Sequence, residues 1–539
     1  MHTQKQSMAA QNGEAACLGI EFGSTRIKAV LVGSDHRPVA YGSCLWENRL
    51  ADGIWTYDLE DVWRGVRTCL EELKRDAEAR RGLAQIQIGA IGVSAMMHGY
   101  LAFDADGELL VPFRTWRNTC TKKAAEELTE RLDFPIPQRW SAAHLYQAIL
   151  DGETHVKNVA FLTTLAGYVH WRLTGEKVLG IGDASGMFPI DKTTCGYDEK
   201  KLRQFDELAF SHGFRRRIQD VLPRVLTAGQ FAGTLTPEGA RLLDPDGWLQ
   251  AGIAMCPPEG DAGTGMTATN SVRERTCSLS AGTSVFAMTV LERPLKRTHP
   301  EIDLVATPEG GAVAMVHCNN GTGDLDAWIE LLGEAAEKLG ARFDKTALYR
   351  TLFQQALCAD GDCGGLTNVN YLSGEHLTGF TEGRPVFARL PGSRLTLANF
   401  MRAQLFSVLC TLKTGMDILT RGEDVVIEEI TAHGGYFKVK GVGQRILAAA
   451  LDTPVCIRDA AGEGGPWGMA LLAAYMLYRE EGEPLGDYLE NRVFRDAAAE
   501  TAAPDPAEAA GFSRYLERYR RCLIVEQTAI ETLKDNFES

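Results

Sequence analysis

Cys17-Leu18-Gly19-Ile20-Glu21-Phe22-Gly23-Ser24-Thr25-Arg26-Ile27-Lys28-Ala29-Val30-Leu31-Val32 reads as strand, Gly-Ser-Thr turn, strand. A tight turn at Gly23, Ser24 and Thr25 offers backbone N–H groups and two hydroxyls on one side, an anion-binding concavity suited to phosphate. Lys28 adds positive charge, and Glu21 places a carboxylate where a divalent metal could be held directly or through water. A single hairpin of this kind is also an ordinary sheet feature. Its return decides the reading: Thr276-Cys277-Ser278-Leu279-Ser280-Ala281-Gly282-Thr283-Ser284-Val285-Phe286-Ala287-Met288 is again strand, Gly-Thr-Ser turn, strand. Two such hairpins, one opening each half of the chain, are what a duplicated phosphate-clamping domain requires.

Between them lies Glu259-Gly260-Asp261-Ala262-Gly263-Thr264-Gly265-Met266, after the apolar run Ala251-Gly252-Ile253-Ala254-Met255. Glycine lets the backbone turn sharply and lets a ligand come close. A carboxylate held there, Asp261, is placed to take a proton from a bound hydroxyl. The plainer alternative is a helix N-cap.

The 539 residues carry a net charge of -15, with 45% hydrophobic and 24% charged residues, an ordinary globular composition for more than one domain. An acidic chain without a basic patch argues against nucleic acid as a partner. No apolar run approaches the length of a membrane span, and the polar start of the chain is not a secretory signal. The thirteen cysteines show no Cys-x-x-Cys spacing and read as free thiols in a reducing compartment. A cytoplasmic protein with no membrane partner is expected.

Other stretches fill in a pocket. Ile86–Ser94 is a buried strand leading into Met97, His98 and Gly99, and a second loop carries Trp116, Arg117 and Asn118. Fixed hydrogen-bonding groups beside an aromatic wall suit a sugar. Gly180–Met187 reads as a small-residue loop. In the second half, Val425–Thr431 is a strand running into His433-Gly434-Gly435, whose glycines let backbone approach a base or ribose. Leu395–Leu419 is a long helix, and 511–537 looks helical and peripheral.

The order of these motifs resembles the FGGY carbohydrate kinases, a branch of the actin-like, hexokinase-like and Hsp70-like ATPases. The carriers are the first hairpin, Met97-His98-Gly99, the Trp116 segment, Trp171-Arg172-Leu173-Thr174-Gly175-Glu176, Gly182-Asp183-Ala184-Ser185-Gly186, Gly260-Asp261, Gly282-Thr283-Ser284 and His433-Gly434-Gly435. The resemblance implies an α/β fold of two actin-like, ribonuclease-H-like domains, with ATP and Mg2+ in a cleft between them. It implies Asp261 as general base and Glu21 as metal residue. Gly23, Ser24, Thr25, Lys28, Gly282 and Thr283 would contact phosphates, and Gly434 and Gly435 the adenosine. Met97, His98, Trp116 and Asn118 would line the sugar with Asp261, and the pair Met97-His98 is of the kind that lies along the sugar in xylulokinases. The sequence departs from the family where Glu21 replaces the usual Asp, Asn118 a carboxylate, and His144 a lysine. Those changes argue that the acceptor need not be D-xylulose.

The expected organisation is a tail over 1–15, a sugar-binding domain over 16–265, a nucleotide-binding domain over 266–495 and a helical extension over 496–539. The expected activity is transfer of the γ-phosphate of ATP to a hydroxyl of a xylulose- or ribulose-like ketose. A nucleotide-dependent sugar sensor of the same fold, or a kinase of a non-sugar polyol, are the alternatives. Dimers are common among such enzymes, so a homodimer is one expectation for assembly.

Overall fold

The computed structural model describes residues 15–81, 86–458 and 464–534. Residues 1–14 of the expected tail lie outside the described residues, whereas Ala15 is buried and its carbonyl accepts the Tyr478 hydroxyl.

The described residues form two compact units. The first comprises residues through 273, 292–313 and 464–497; the second comprises 274–291, 314–458 and 498–534. The chain leaves the first unit after Arg273, so the expected break at 265/266 falls inside a helix, Asp261–Ala268. Residues 464–495, expected with the nucleotide domain, belong to the first unit.

In the first unit the strands are β1 (Ala16–Phe22), β2 (Arg26–Val32), β3 (Pro38–Leu45), β4 (Ile88–Ala95), β5 (Ala254–Met255) and β6 (Glu259–Gly260). They lie in the order β3-β2-β1-β4-β5, with β6 also paired to β4. β1 and β2 form the antiparallel hairpin, while β1, β4, β5 and β6 run parallel. Every residue of β1 is buried, which accounts for its unbroken apolar character with Glu21 as the exception. The helix Leu59–Arg81 packs on β2 and β3, and the helix Gly464–Tyr478 on β1 and β4. Asp58 caps the first of these through the Glu60 N–H at 3.0 Å.

The second unit repeats the pattern with β7 (Thr276–Ala281), β8 (Val285–Val290), β9 (Ala312–Cys318), β10 (Glu429–His433), β11 (Val455–Arg458) and β12 (Ala499–Ala502). Counted from each hairpin, the order β9-β8-β7-β10-β11 is the same as β3-β2-β1-β4-β5. This is the ribonuclease-H-like arrangement, present twice. The long helix spans Leu397–Asp417, capped by Thr396 through the Asn399 N–H at 3.2 Å.

The C-terminal segment is not peripheral. β12 pairs antiparallel with β11, and Pro506–Thr532 is a helix that buries Phe512, Tyr515 and Tyr519. The Tyr515 hydroxyl donates to the Ala403 carbonyl at 2.9 Å, tying this helix to the long one. Among the described residues, no helix is long and apolar enough to cross a membrane.

Candidate active site

Parallel pairing sets one row of residues across three strands of the first unit. Glu21 of β1 stands beside Ser94 of β4, and Ser94 beside Glu259 of β6. The segments that continue these strands, the Gly23-Ser24-Thr25 turn, Met97-His98 and Asp261, therefore leave the sheet at one edge. The carboxyl edge of a parallel sheet is where α/β proteins place ligands.

Asp261 opens the helix Asp261–Ala268, and its Oδ1 accepts the Met97 backbone N–H at 3.2 Å. The side chain is open to solvent, yet protein crowds it closely enough that desolvation raises its pKa, against the lowering effect of the Met97 and Ala262 N–H groups. Met97 contributes its backbone here. Its side chain packs against Gly260, where an added Cβ would fall 2.2 Å from Met97 Cγ.

More carboxylates gather around this position. Burial pushes Glu21 up to about 7, with Lys28 opposing the shift and Asp261 adding to it. Burial likewise pushes Glu259 to about 7, although its carboxylate accepts N–H groups from Gly260, Asp183 and Gly182. Gly182 has no room for a side chain because a Cβ would meet Glu259 Oε1 at 2.5 Å. Asp183 is fully buried and lies well above the usual carboxylate range, first by desolvation and then by the charges of Glu259 and Asp261, with Thr164 countering. Its Oδ2 accepts the Thr164 hydroxyl at 2.6 Å, the same hydroxyl oxygen that caps the helix Leu165–Thr174. The stretch expected as a small-residue loop is thus the end of a short strand, Val178–Gly180, followed by a helical turn, Ile181–Ala184. That turn is clamped by Glu259 one residue before the β6–helix junction.

His98 adopts a left-handed backbone, φ 72°, and is buried. Burial and Arg139 hold its pKa well below the ordinary value, so the imidazole is neutral. Nδ1 lies 3.2 Å from the Gly186 carbonyl, which can only accept, so Nδ1 carries the proton and Nε2 is an acceptor. The ring stacks with Trp140 at 6.4 Å. In place of the expected sugar contact, the Asn118 amide is taken up by protein: Oδ1 accepts the Trp55 N–H, and Nδ2 donates to the Trp55 carbonyl, each at 2.9 Å. Trp116 packs, partly buried, against the apolar core. His144 does not restore the charge of a lysine, because burial, reinforced by Arg114, pushes it down to about 3.

Each turn is closed by the N–H of its glycine, with a register one residue tighter in the second. Gly23 N–H donates to the Arg26 carbonyl at 2.9 Å, and Gly282 N–H to the Ser284 carbonyl at 3.0 Å. The carbonyls of Gly23 and Ser24 are tied back by Trp46 Nε1 and the Tyr57 hydroxyl, both at 2.6 Å, from two rings stacked at 4.3 Å. Lys28, on the exposed face of β2, stands opposite Glu21. In the second unit, Thr322 and Gly321 N–H groups tie back the carbonyls of Gly282 and Thr283, each at 2.8 Å. Gly434 comes directly after β10 with φ 105°, and a Cβ there would meet the Ala281 carbonyl oxygen at 2.4 Å. Gly434 and Gly435 thus sit at the same sheet edge as Gly282 and Thr283. Loop 319–320 is itself pinned by the buried Glu375, whose Oε2 accepts the N–H groups of Asn319 and Asn320 at 2.9 and 3.2 Å. Sequence reasoning gave no role to Asp183, Glu259 or Glu375. The glycines flanking Ile181 were the one local signal, since a carboxylate occupies their side-chain space.

The duplicated sheet with a Gly-containing turn at each hairpin defines an actin-like α/β fold. The N-terminal and C-terminal domain models of the FGGY family of carbohydrate kinases match residues 16–246 and 277–477, and the chain belongs to this family. It is a sugar kinase, for which ATP is the phosphoryl donor implied by the family. The xylulose kinase of Haemophilus influenzae is 22% identical over 463 residues, 83% of this chain and 89% of that protein. Among solved structures, gluconate kinase from Lactobacillus acidophilus aligns with a TM-score of 0.78 at 18% identity, over 97% of this chain and all of that one (100%). The ligand-bound xylulose kinase from the same organism aligns with a TM-score of 0.77 at 18% identity, over 96% of this chain and 100% of that one. At such identity the likeness is one of fold.

Proposed function

We propose that the chain transfers the γ-phosphate of ATP to a hydroxyl of a xylulose- or ribulose-like ketose, with Asp261 as general base. The observation that carries this is the placing of Asp261: a carboxylate at the carboxyl edge of the sheet, held by the Met97 N–H and raised in pKa, next to Glu21 and the Gly23–Thr25 turn. A base is most effective when its pKa approaches the working pH. Asp261 orients the acceptor hydroxyl and takes its proton; neutral His98 accepts a second hydroxyl at Nε2. Phosphoryl transfer passes through a loose transition state, so positioning and charge stabilisation do most of the work. The turns at Gly23-Ser24-Thr25 and Gly282-Thr283, with Lys28, contact the phosphates, and Gly434-Gly435 the adenosine.

The donor set fits Mg2+. Glu21 is a hard oxygen donor whose pKa the charge of Asp261 helps raise, and a divalent cation relieves that repulsion. Among the described residues no group of three or more His, Cys, Asp or Glu forms a metal cage. Mg2+ takes one or two carboxylates and completes its shell with phosphate and water. Glu21 would hold it, and when bound it neutralises phosphate charge.

The test is ADP release from Mg2+-ATP across xylulose, ribulose, other ketoses, gluconate and glycerol. Strong stimulation by one ketose supports the reading. Stimulation by gluconate or glycerol alone overturns the ketose assignment, and bound ATP with no stimulation by any acceptor favours the sensor.

A further inference from the structure

We propose that Gly465 is a positioning residue that seats the Glu21 carboxylate by leaving its own side-chain space empty, so that position 465 determines which acidic side chain can serve at position 21. The inference rests on Glu21 acting toward the cation.

A Cβ built on Gly465 would stand 1.9 Å from Glu21 Oε1, 2.5 Å from Cδ and 3.1 Å from Oε2. The whole carboxylate therefore occupies the volume a side chain would need. The backbone does not require glycine there: Gly464 is left-handed, φ 64°, but Gly465 is not. Space alone is the constraint.

The clash could be relieved by moving the helix Gly464–Tyr478 or by moving the carboxylate. The helix is pinned at two places by backbone against backbone. A Cβ on Gly19, two residues before Glu21 on β1, would lie 2.0 Å from the Pro466 carbonyl oxygen. A Cβ on Gly468 would lie 2.0 Å from the Thr264 carbonyl oxygen, on the helix that Asp261 opens. The Glu21 carboxylate is the end of a flexible arm, so it is the part that yields. A methyl group at 465 would turn it out of its seat with the fold intact. Shortening the arm by one methylene withdraws the carboxylate by about 1.5 Å, one carbon–carbon bond, and makes room for the methyl.

The test uses the full chain and the variants Gly465→Ala, Glu21→Asp, Glu21→Asp/Gly465→Ala and Glu21→Gln. Two quantities are read: kcat with the best acceptor, and the Mn2+ dissociation constant of the ADP-bound enzyme by electron paramagnetic resonance, which requires no turnover. Gly465→Ala is expected to weaken Mn2+ binding about tenfold and lower kcat at least as much, with little change in melting temperature. In the Glu21→Asp background the same alanine is expected to have little effect. Wild-type Mn2+ binding and turnover in Gly465→Ala overturn the proposal. So does an equal loss in both backgrounds, since arm length is then irrelevant. Failure to fold in both backgrounds also overturns it, because the helix rather than the carboxylate has given way. Glu21→Gln that binds Mn2+ as the wild type does removes the cation reading itself; an effect in Glu21→Gln with none in Gly465→Ala removes only the positioning role.

Discussion

Asp261→Asn is the substitution that isolates proton transfer from architecture. Asparagine is nearly isosteric, and its Oδ1 can keep accepting the Met97 N–H at 3.2 Å, so the junction of β6 and the Asp261–Ala268 helix stays as it is. What is lost is the ability to take a proton. A positioned general base contributes about 10²- to 10⁴-fold, equivalent to roughly 3–5 kcal/mol of transition-state stabilisation. The loss should fall on kcat, because the phosphate-contacting turns and His98 are untouched. Removing the Asp261 charge also removes one of the influences raising Glu21, so Glu21 ionises more readily and binding of the metal–nucleotide is retained or tightened. The pH profile gives an independent reading. Desolvation by the surrounding protein raises the Asp261 pKa, so wild-type kcat/KM should fall as pH drops through that raised value, and the variant should lack this limb. The sign for stability is opposite to that for activity. A carboxylate whose folded pKa is raised contributes stability that is lost as pH rises through it, so the variant should melt no lower than wild type above neutrality. Steady-state ADP release, nucleotide binding and melting curves from pH 5 to 8.5 cover these readouts. A kcat within about threefold of wild type at saturating acceptor would refute the base assignment, and a variant that loses nucleotide binding as well would refute the claim that the side chain acts only in transfer.

Packing and burial lead to two further outcomes. Gly19→Ala and Gly468→Ala each drive a methyl to 2.0 Å from a backbone carbonyl oxygen, and should cost about 3 kcal/mol or more by overpacking; an unchanged denaturant midpoint in both would show that the Gly464–Tyr478 helix is not pinned at these points. Glu375 is fully buried, and desolvation lifts its pKa from 4.5 to about 7, so the folded state holds its proton more tightly than the unfolded chain does. Its contribution, at most roughly 3 kcal/mol, is complete below pH 4.5 and disappears as pH rises through about 7; Glu375→Gln should flatten that part of the melting-temperature profile, and an unaltered slope would exclude Glu375 as its source.

What the sequence disclosed and what it withheld divide along a physical line. The two hairpins were legible because a Gly-Ser-Thr or Gly-Thr-Ser turn between apolar runs is a local signal, and the repeat of the signal implied the repeat of the sheet. The strand-to-helix position of Asp261 was legible for the same reason, a carboxylate among glycines straight after an apolar run. The partners that set its environment were not, because each is brought in by long-range packing. Asp183 read as part of a small-residue loop and Glu259 had no role, and only the fold brings the Gly182 and Asp183 N–H groups onto the Glu259 carboxylate. Asn118 read as a sugar contact because an amide beside Trp116 has the right chemistry, yet the Trp55 backbone satisfies it first. The C-terminal helix was misplaced at the periphery by its Ala- and Glu-rich approach. Phe512, Tyr515 and Tyr519 recur at helical spacing, and that stripe is the mark of a buried face. Gly465 is the limiting case. Nothing near it in the sequence distinguishes a glycine kept for flexibility from one kept for space. Only the carboxylate of Glu21, delivered from the other end of the chain, decides that the reason is space. A residue type therefore announces its role when its partner is close in sequence, and conceals it when the fold supplies the partner.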